Sequence, residues 1–154
     1  MQASPEAILK LFEDNERVPE YNKYFLEGRD LQQLGEDTKV VWASSPGIFP
    51  FKPRDFCTIV HFRKLSDGTI VVINRAATHP AAPVTNTYVR AAILLGANII
   101  SPCPGSPGET KFTMITWVDP GGVAPSWIVN KIAAMGPVAF LHDVEKAAQS
   151  TKAS

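Results

Sequence analysis

A succession of short β-rich segments followed by one long helical segment constrains the fold of this chain more than any other feature. Turn residues separate the segments, and Gly68 in the 66–69 turn can take the positive φ that a tight hairpin requires. Consecutive strands joined by short turns form an antiparallel sheet. The predicted strands span residues 29–34, 38–44, 54–64, 69–77, 87–101 and 110–118, with a turn over 102–108.

Helical patterns flank these strands on both sides. Ser4 can cap free N–H groups and Pro5 suits the first helical position, so a short helix is predicted to begin there. Apolar residues three to four apart predict a second short helix over about residues 18–28. The closing helix is predicted over about residues 126–149. Strands and helices that follow one another in this way indicate a single α+β domain.

Composition narrows the class of protein. The 154 residues are 45% hydrophobic and 19% charged, which suits one folded domain. Lys plus Arg and Asp plus Glu are equal at 15, so no net field attracts a nucleic acid. The two cysteines, Cys57 and Cys103, are too few for a disulfide framework and favour a reducing cytoplasm. The longest apolar stretch, residues 91–100, is shorter than the roughly 20 residues that span a bilayer. Any membrane contact is therefore predicted to be peripheral.

A series of short motifs marks the strand starts, the turns and the beginning of the closing helix. They are Pro53-Arg54-Asp55-Phe56, Asp67-Gly68, His79-Pro80 with Pro83, Tyr88-Val89-Arg90-Ala91, and W-x-D-P-G-G-x-x-P-x-W-x-x-N from Trp117 to Asn130. In this order the motifs resemble those of the START (steroidogenic-acute-regulatory-related lipid transfer) domain family. Each motif is weak alone, and their order over most of the chain makes the resemblance specific.

The resemblance implies a helix-grip fold, in which a curved antiparallel sheet wraps around a long C-terminal helix and encloses one lipid. It implies a protein that is not an enzyme, needs no cofactor, and carries or senses the lipid at a membrane surface, as a cytoplasmic monomer. Family members have a helix and strands ahead of the segment that matches residues 8–25. We therefore expect a START-like domain over residues 1–150, truncated at its N-terminus, and a tail over 151–154.

Strand alternation selects the residues that would face the lipid. On the strand over 54–64, even-numbered residues share one face, and Cys57 and His61 lie on the other. The resemblance implies that the even-numbered face points into the tunnel. It also implies that one face of the preceding strand and the apolar stripe of the closing helix line the same tunnel. The alternative is that these side chains simply fill a core. The predicted lipid-binding residues are Val41, Ala43, Phe56, Thr58, Val60, Phe62, Ile128, Ile132, Met135 and Leu141.

Two of these positions bear on the cargo. Sterol-carrying members of the family resemble one another in a buried acidic residue and an arginine, and the matching positions here hold Ala43 and Val60. A buried charge is costly without a partner, so the loss of both members of the pair is coherent. The resemblance then implies a more apolar tunnel, with a fatty acyl chain, a neutral lipid or an unfamiliar sterol as cargo.

The loop over residues 46–53 is predicted to touch membranes. Its prolines hold Ile48, Phe49 and Phe51 out of the sheet, and Lys52 beside them can meet acidic headgroups. The loop matches the portal loop of the family. The alternative is that its apolar side chains pack against the closing helix.

Other charged and aromatic residues are predicted to be structural. Arg54 and Asp55 are adjacent on a strand and point to opposite faces, so each is expected to form its own ion pair, as is Arg90. Asp119 is expected to fix the turn before the closing helix. Trp127 and Asn130 are expected to anchor the start of that helix.

Two other classes of function stay open. A cyclase or hydrolase on the same scaffold would need an inward-facing general base, whereas alternation places His61 on the outer face. A lipid-responsive interaction module would pass the state of its cargo to a protein partner. His61, His79 and His142 have no metal-ligand spacing, so no metal site is predicted.

Overall fold

The computed structural model describes residues 1–150, except the side chains of residues 128 and 131–135. Within that range the helices are α1 (Pro5–Glu13), α2 (Val18–Tyr21) and α3 (Ser126–Ser150). The strands are β1 (Glu27–Gln33), β2 (Thr38–Ser45), β3 (Arg54–Lys64), β4 (Ile70–Ala76), β5 (Val89–Arg90), β6 (Ala92–Cys103) and β7 (Ser106–Asp119).

The strands form one sheet in the order β1-β2-β3-β4-β6-β7, and all of these neighbours are antiparallel. The short β5 lies off this path and pairs in parallel with the start of β3. We call the side of the sheet that packs against α1 and α3 the inner face, and the opposite side the outer face. A meander of strands closed by one long helix confirms the predicted α+β helix-grip fold.

A hydrophobic core joins α1, α3 and the inner face at one end of the sheet. Ser4 caps α1 by accepting a hydrogen bond from the Ala7 N–H at 3.3 Å. Its buried face carries Ile8 and Leu11, which pack in one cluster with Val144 of α3. Other members of this cluster are Phe62, Ile70, Val72, Ile100, Ala147 and Ala148, with Phe12, Phe112 and Phe140 packed against it.

The second helix is shorter than predicted. It ends at Tyr21, because Asn22 takes an extended conformation (φ −127°) and its side-chain oxygen accepts a hydrogen bond from the Tyr24 N–H at 3.0 Å. The chain then enters β1 at Glu27. Competition from a short polar side chain for a local N–H thus ends the helix before the apolar periodicity does.

The strand predicted over residues 87–101 is also divided into two. Val89 and Arg90 pair with β3, the Ala91 N–H donates to the Asp55 carbonyl at 2.9 Å, and the antiparallel ladder of β6 begins at Ala92. The Asp55 side chain on β3 accepts hydrogen bonds from Arg90 and holds this break in place. Among the described residues, no helix is both long and apolar enough to cross a membrane.

Candidate functional site

The inner face brings together the strand residues that were predicted to face a lipid. The β2–β3 register places Phe56 opposite Ala43 and Thr58 opposite Val41, so these four side chains share a face. Val60, two residues further along β3, packs against the hydrophobic core cluster of that face. The alternation read from the sequence therefore corresponds to the two sides of the sheet.

The inner face has two ends of different character. Val60 and Phe62 lie at the end filled by α1 and the last turns of α3, and Phe62 is buried within that core. Val41, Ala43 and Phe56 lie toward the other end, are only partly buried, and belong to neither core cluster. The hydrophobic core therefore fills the Phe62 end of the inner face, and the side chains at the β2 end stay partly accessible.

The helix residues predicted to line the tunnel separate into two groups. The side chains of Ile128, Ile132 and Met135 lie outside the described residues. Leu141 is half-buried and lines a shallow depression of about 340 Å3 that also includes Phe112 and His142.

Phe140, which the sequence analysis did not single out, is the residue of this turn that packs against the core. Its ring lies 5.7 Å from that of Tyr21 and 6.4 Å from that of Phe12. Val144, buried four residues later, continues the same helix face. This i, i+4 spacing is the sequence signal that could have identified Phe140.

Two neutral amides lie on the inner face, and the sequence analysis missed both. Asn74 stands opposite Gly96 and Asn98 stands opposite Val72 in the β4–β6 register, so the amides are diagonal neighbours. The Asn74 side chain lies directly over Gly96, where any β-carbon would collide with it. Both residues are partly buried, and neither side chain has a hydrogen-bond partner among the described residues.

Charged groups on the inner face lie at its margins, where ion pairs or hydrogen bonds to backbone carbonyls hold them. Lys39 is buried and its ammonium reaches Asp30 at 3.1 Å and the Glu13 carbonyl at 3.2 Å. Lys64 binds Glu6 at 2.8 Å, and that hydrogen bond holds the pKa of the Glu6 carboxyl below its usual value. The central rows of the inner face carry only apolar and neutral polar side chains.

The outer face contains a buried ionic network. The Asp55 carboxylate accepts two hydrogen bonds from Arg90, both at 2.8 Å, and a third from the Trp42 indole at 2.9 Å. Burial acts to raise the pKa of Asp55, and the donors from Arg90 and Trp42 outweigh it, so the pKa lies below its usual value. Arg90 also donates to the carbonyls of Ala82 and Pro83 at 3.0 and 3.3 Å. The ion pairs predicted for Asp55 and Arg90 are confirmed as one pair.

Among the described residues, Arg54 does not form the ion pair that was predicted for it. Its guanidinium donates instead to backbone carbonyls, those of Lys52 at 2.6 Å, Pro120 at 3.2 Å, Gly121 at 3.5 Å and Val123 at 3.4 Å. The physical reason is that the 120–123 turn presents several carbonyls that have no strand partner. Arg54 thereby joins the loop before β3 to the segment that leads into α3.

The turn before α3 has the geometry predicted for it. The Gly121 N–H donates to Asp119 at 2.9 Å, which confirms that Asp119 fixes the turn. Gly121 has a φ of 63°, and its Cα lies so close to the Arg90 carbonyl that a β-carbon has no room. The anchoring role predicted for Trp127 is wrong, because 63% of its surface is exposed at the helix start. Asn130 is exposed as well, and its side chain has no hydrogen-bond partner among the described residues.

Three loops meet at one end of the molecule and carry exposed apolar side chains. Lys52 donates to the Asn86 carbonyl at 2.9 Å, which ties the 46–53 loop to the β4–β5 loop, and Arg54 ties it to the 120–123 turn. Phe49 is 97% exposed, so the alternative that it packs against α3 does not hold. We call this set of exposed side chains the tip surface; it consists of Ile48, Phe49, Val84, Val123 and Trp127.

Phe51 behaves differently from its neighbours in this loop. It is half-buried, and its N–H donates to the Ile48 carbonyl at 2.7 Å across a tight turn that contains the cis Phe49–Pro50 bond. Phe51 therefore supports the loop, while Phe49 projects from it.

The helix-grip fold, the uncharged inner face and the tip surface together define one class of protein. The sequence of the chain matches the model of a known family of this class. The START domain model matches residues 2–154, and the chain belongs to the START domain family. This confirms the resemblance seen in the sequence motifs.

Individual relatives agree with this assignment. The mitochondrial steroidogenic acute regulatory protein of chicken (Gallus gallus) is 29% identical over 134 residues, covering 85% of this chain and 47% of that protein. The human (Homo sapiens) protein of the same name is 29% identical over 148 residues, covering 94% of this chain and 51% of that protein. The chain thus spans about half the length of these curated relatives.

Solved structures show the same fold. Human STARD10 superposes with a TM-score of 0.85 at 25% identity, over 96% of this chain and 59% of that one. Human StAR-related lipid transfer protein 5 superposes with a TM-score of 0.88 at 19% identity, over 99% of this chain and 73% of that one. The agreement extends over nearly all of the present chain.

Proposed function

We propose that this chain binds one lipid molecule between the inner face of its sheet and α3, and releases or collects it at a membrane surface. The observation that carries the proposal is the inner face of a START domain, whose central rows carry no charge and whose marginal charges already have hydrogen-bond partners. A lipid tail in contact with such a surface leaves no buried charge without a partner. Val41, Ala43, Phe56 and Thr58 would contact the lipid.

The residues beside this lining suggest the class of lipid. Ala43 and Val60 bring no charge to the inner face, whereas Asn74 and Asn98 offer amide groups without partners among the described residues. An amide can donate to a carbonyl or accept from a hydroxyl. A neutral lipid with one ester or hydroxyl group matches this combination better than a charged phospholipid does.

Native mass spectrometry of the purified chain, with extraction of its co-purified lipid, tests this proposal. We expect one lipid per chain, and we expect the Asn74→Leu/Asn98→Leu variant to favour lipids without a hydroxyl or ester group. A folded chain that takes up no lipid from varied mixtures would contradict the proposal.

The tip surface supports a transient contact with the membrane. Transfer of the exposed Phe49 side chain from water into the bilayer interface is favourable, by about 2 kcal/mol for a side chain of this size. Phe49→Asp should therefore lower partitioning onto lipid vesicles by at least about tenfold. The matched control is Leu34→Asp, since Leu34 is also exposed but lies at the opposite end of β2. Equal partitioning of the two variants would exclude the tip surface as the contact.

Catalysis is not part of the proposed function. The enzyme alternative requires a general base on the inner face, and His61 instead contacts Thr38 across the outer-face register at 2.8 Å. The chicken and human steroidogenic acute regulatory proteins named above are described as mitochondrial, and our sequence-based expectation of a cytoplasmic protein stays a prediction. The monomeric state expected from the sequence also stays a prediction.

A further inference from the structure

The three segments that carry the tip surface have almost no charge. Residues 46–53, 77–88 and 119–127 together contain one lysine, one aspartate, no arginine and no glutamate. The Lys52 ammonium donates to the Asn86 carbonyl at 2.9 Å, and the Asp119 carboxylate accepts from the Gly121 N–H at 2.9 Å. Lys52 therefore ties two loops together, and these segments offer no cluster of cations to anionic headgroups.

Apolar side chains, by contrast, project from all three segments. Beside Phe49, Val84 of the β4–β5 loop is 71% exposed and Val123 of the turn before α3 is 81% exposed. Side chains this exposed have few protein neighbours, so they stand apart and do not form a flat patch. A protein interface needs a closely packed centre, whereas a fluid lipid surface can close around separate side chains. A lipid surface therefore matches the tip better than a protein surface does.

Hydrogen bonds hold the three segments in fixed positions relative to one another. Arg54 donates to the carbonyls of Lys52 at 2.6 Å and Val123 at 3.4 Å, which joins the first segment to the third. The Tyr88 hydroxyl donates to Glu27 at 3.0 Å and fixes the end of the β4–β5 loop to β1. Because these loops are already ordered, entering a membrane together costs them little further conformational entropy.

We propose that the tip surface recognises an electrically neutral membrane with loosely packed headgroups, through apolar side chains of all three segments. This inference rests on the membrane contact of the proposed function and names the kind of membrane. Apolar side chains enter most readily where gaps between headgroups expose acyl chains, as in strongly curved bilayers of unsaturated lipids. Negative surface charge adds little, because Lys52 is the one lysine or arginine in these segments.

Partitioning of the 154-residue chain onto vesicles tests the kind of membrane. We expect binding to small vesicles of unsaturated phosphatidylcholine to be at least about tenfold stronger than binding to large vesicles of saturated phosphatidylcholine. Replacing part of the lipid by phosphatidylserine should change partitioning by less than about fivefold, the effect of a single lysine near the surface. Added salt should not weaken binding to the neutral vesicles, because salt screens only charge interactions.

Single substitutions test the contribution of each segment. Val84→Asp should lower partitioning onto the small neutral vesicles about tenfold, although Val84 lies outside the 46–53 loop. Lys52→Gln removes the charge but keeps a donor for the Asn86 carbonyl, so it should change partitioning by less than about fivefold on neutral or anionic vesicles. The matched control is Leu34→Asp, an exposed change at the opposite end of the sheet. Circular dichroism establishes that each variant is folded.

The possible failures of this inference and of the proposed function can be told apart. A gain of tenfold or more on anionic vesicles that high salt removes would overturn the inference and leave lipid binding and transfer intact. Val84→Asp that partitions like Leu34→Asp would do the same, since one loop would then suffice. A chain that partitions onto none of these vesicles would overturn both the inference and the membrane contact, and the tip surface would then be an interface for a protein.

Discussion

Removal of the Arg90 guanidinium should strongly destabilise the buried ionic network on the outer face. Arg90→Leu leaves the Asp55 carboxylate, 2% exposed, with the Trp42 indole as its remaining charge-neutral donor, and leaves the carbonyls of Ala82 and Pro83 without theirs. Breaking a buried pair by removing one partner costs about 3–5 kcal/mol. Because Trp42 remains and the Arg90 side chain is 21% exposed, we expect about 3 kcal/mol.

Urea denaturation followed by circular dichroism measures this loss. For a chain of this size the midpoint of thermal unfolding should fall by roughly 10 °C. Adding Asp55→Asn to Arg90→Leu should recover part of the loss, with a coupling free energy above about 1 kcal/mol. The matched control is Arg63→Leu, an exposed change on the same strand face as Asp55, which should cost less than about 0.5 kcal/mol. Arg90→Leu at a cost below about 1 kcal/mol, or strictly additive changes, would refute the reasoning.

Other predictions follow from single contacts and use the same denaturation assay. The pKa of Asp55 is lowered on folding, so its stabilisation is present at neutral pH and is lost as the pH falls through the folded-state pKa. The unmodified chain should therefore lose stability between about pH 5 and pH 2 more steeply than Asp55→Asn, and parallel curves would contradict this. Gly96→Ala should cost about 1–3 kcal/mol because its β-carbon meets the Asn74 amide, and Asn74→Ala should relieve most of that cost. Ser44→Ala should stabilise the chain by about 1 kcal/mol, since the buried Ser44 hydroxyl lacks a hydrogen-bond partner among the described residues; a loss of stability would indicate a missed partner.

Local patterns predicted most of the sheet. Period-two alternation on β3 identified its two faces, because each face meets a different environment over the whole strand. The turn at Gly68 and the cap at Ser4 depend on residues adjacent in sequence, so they too could be predicted. The family could be recognised for the same reason, since its motifs are short and local.

Features that depend on distant partners could not be predicted from the sequence. The break between β5 and β6 is held by Arg90 reaching Asp55, which lies 35 residues away along the chain. The role of Arg54 depends on carbonyls 66 to 69 residues away. Asn74 and Asn98 could be placed on the inner face only after the β4–β6 register was known. In each case the missing information is which strands are neighbours.

The contacts of Arg54 have a mechanical consequence. The Arg54 guanidinium binds both the 46–53 loop, which carries Phe49, and the 120–123 turn, which leads into α3. All of its acceptors are uncharged backbone carbonyls. Water can replace such acceptors at little net cost, unlike the carboxylate that holds Arg90. These hydrogen bonds can therefore break without leaving a buried charge unpaired. Because Arg54 contacts both segments, displacement of one segment also weakens the contact that holds the other.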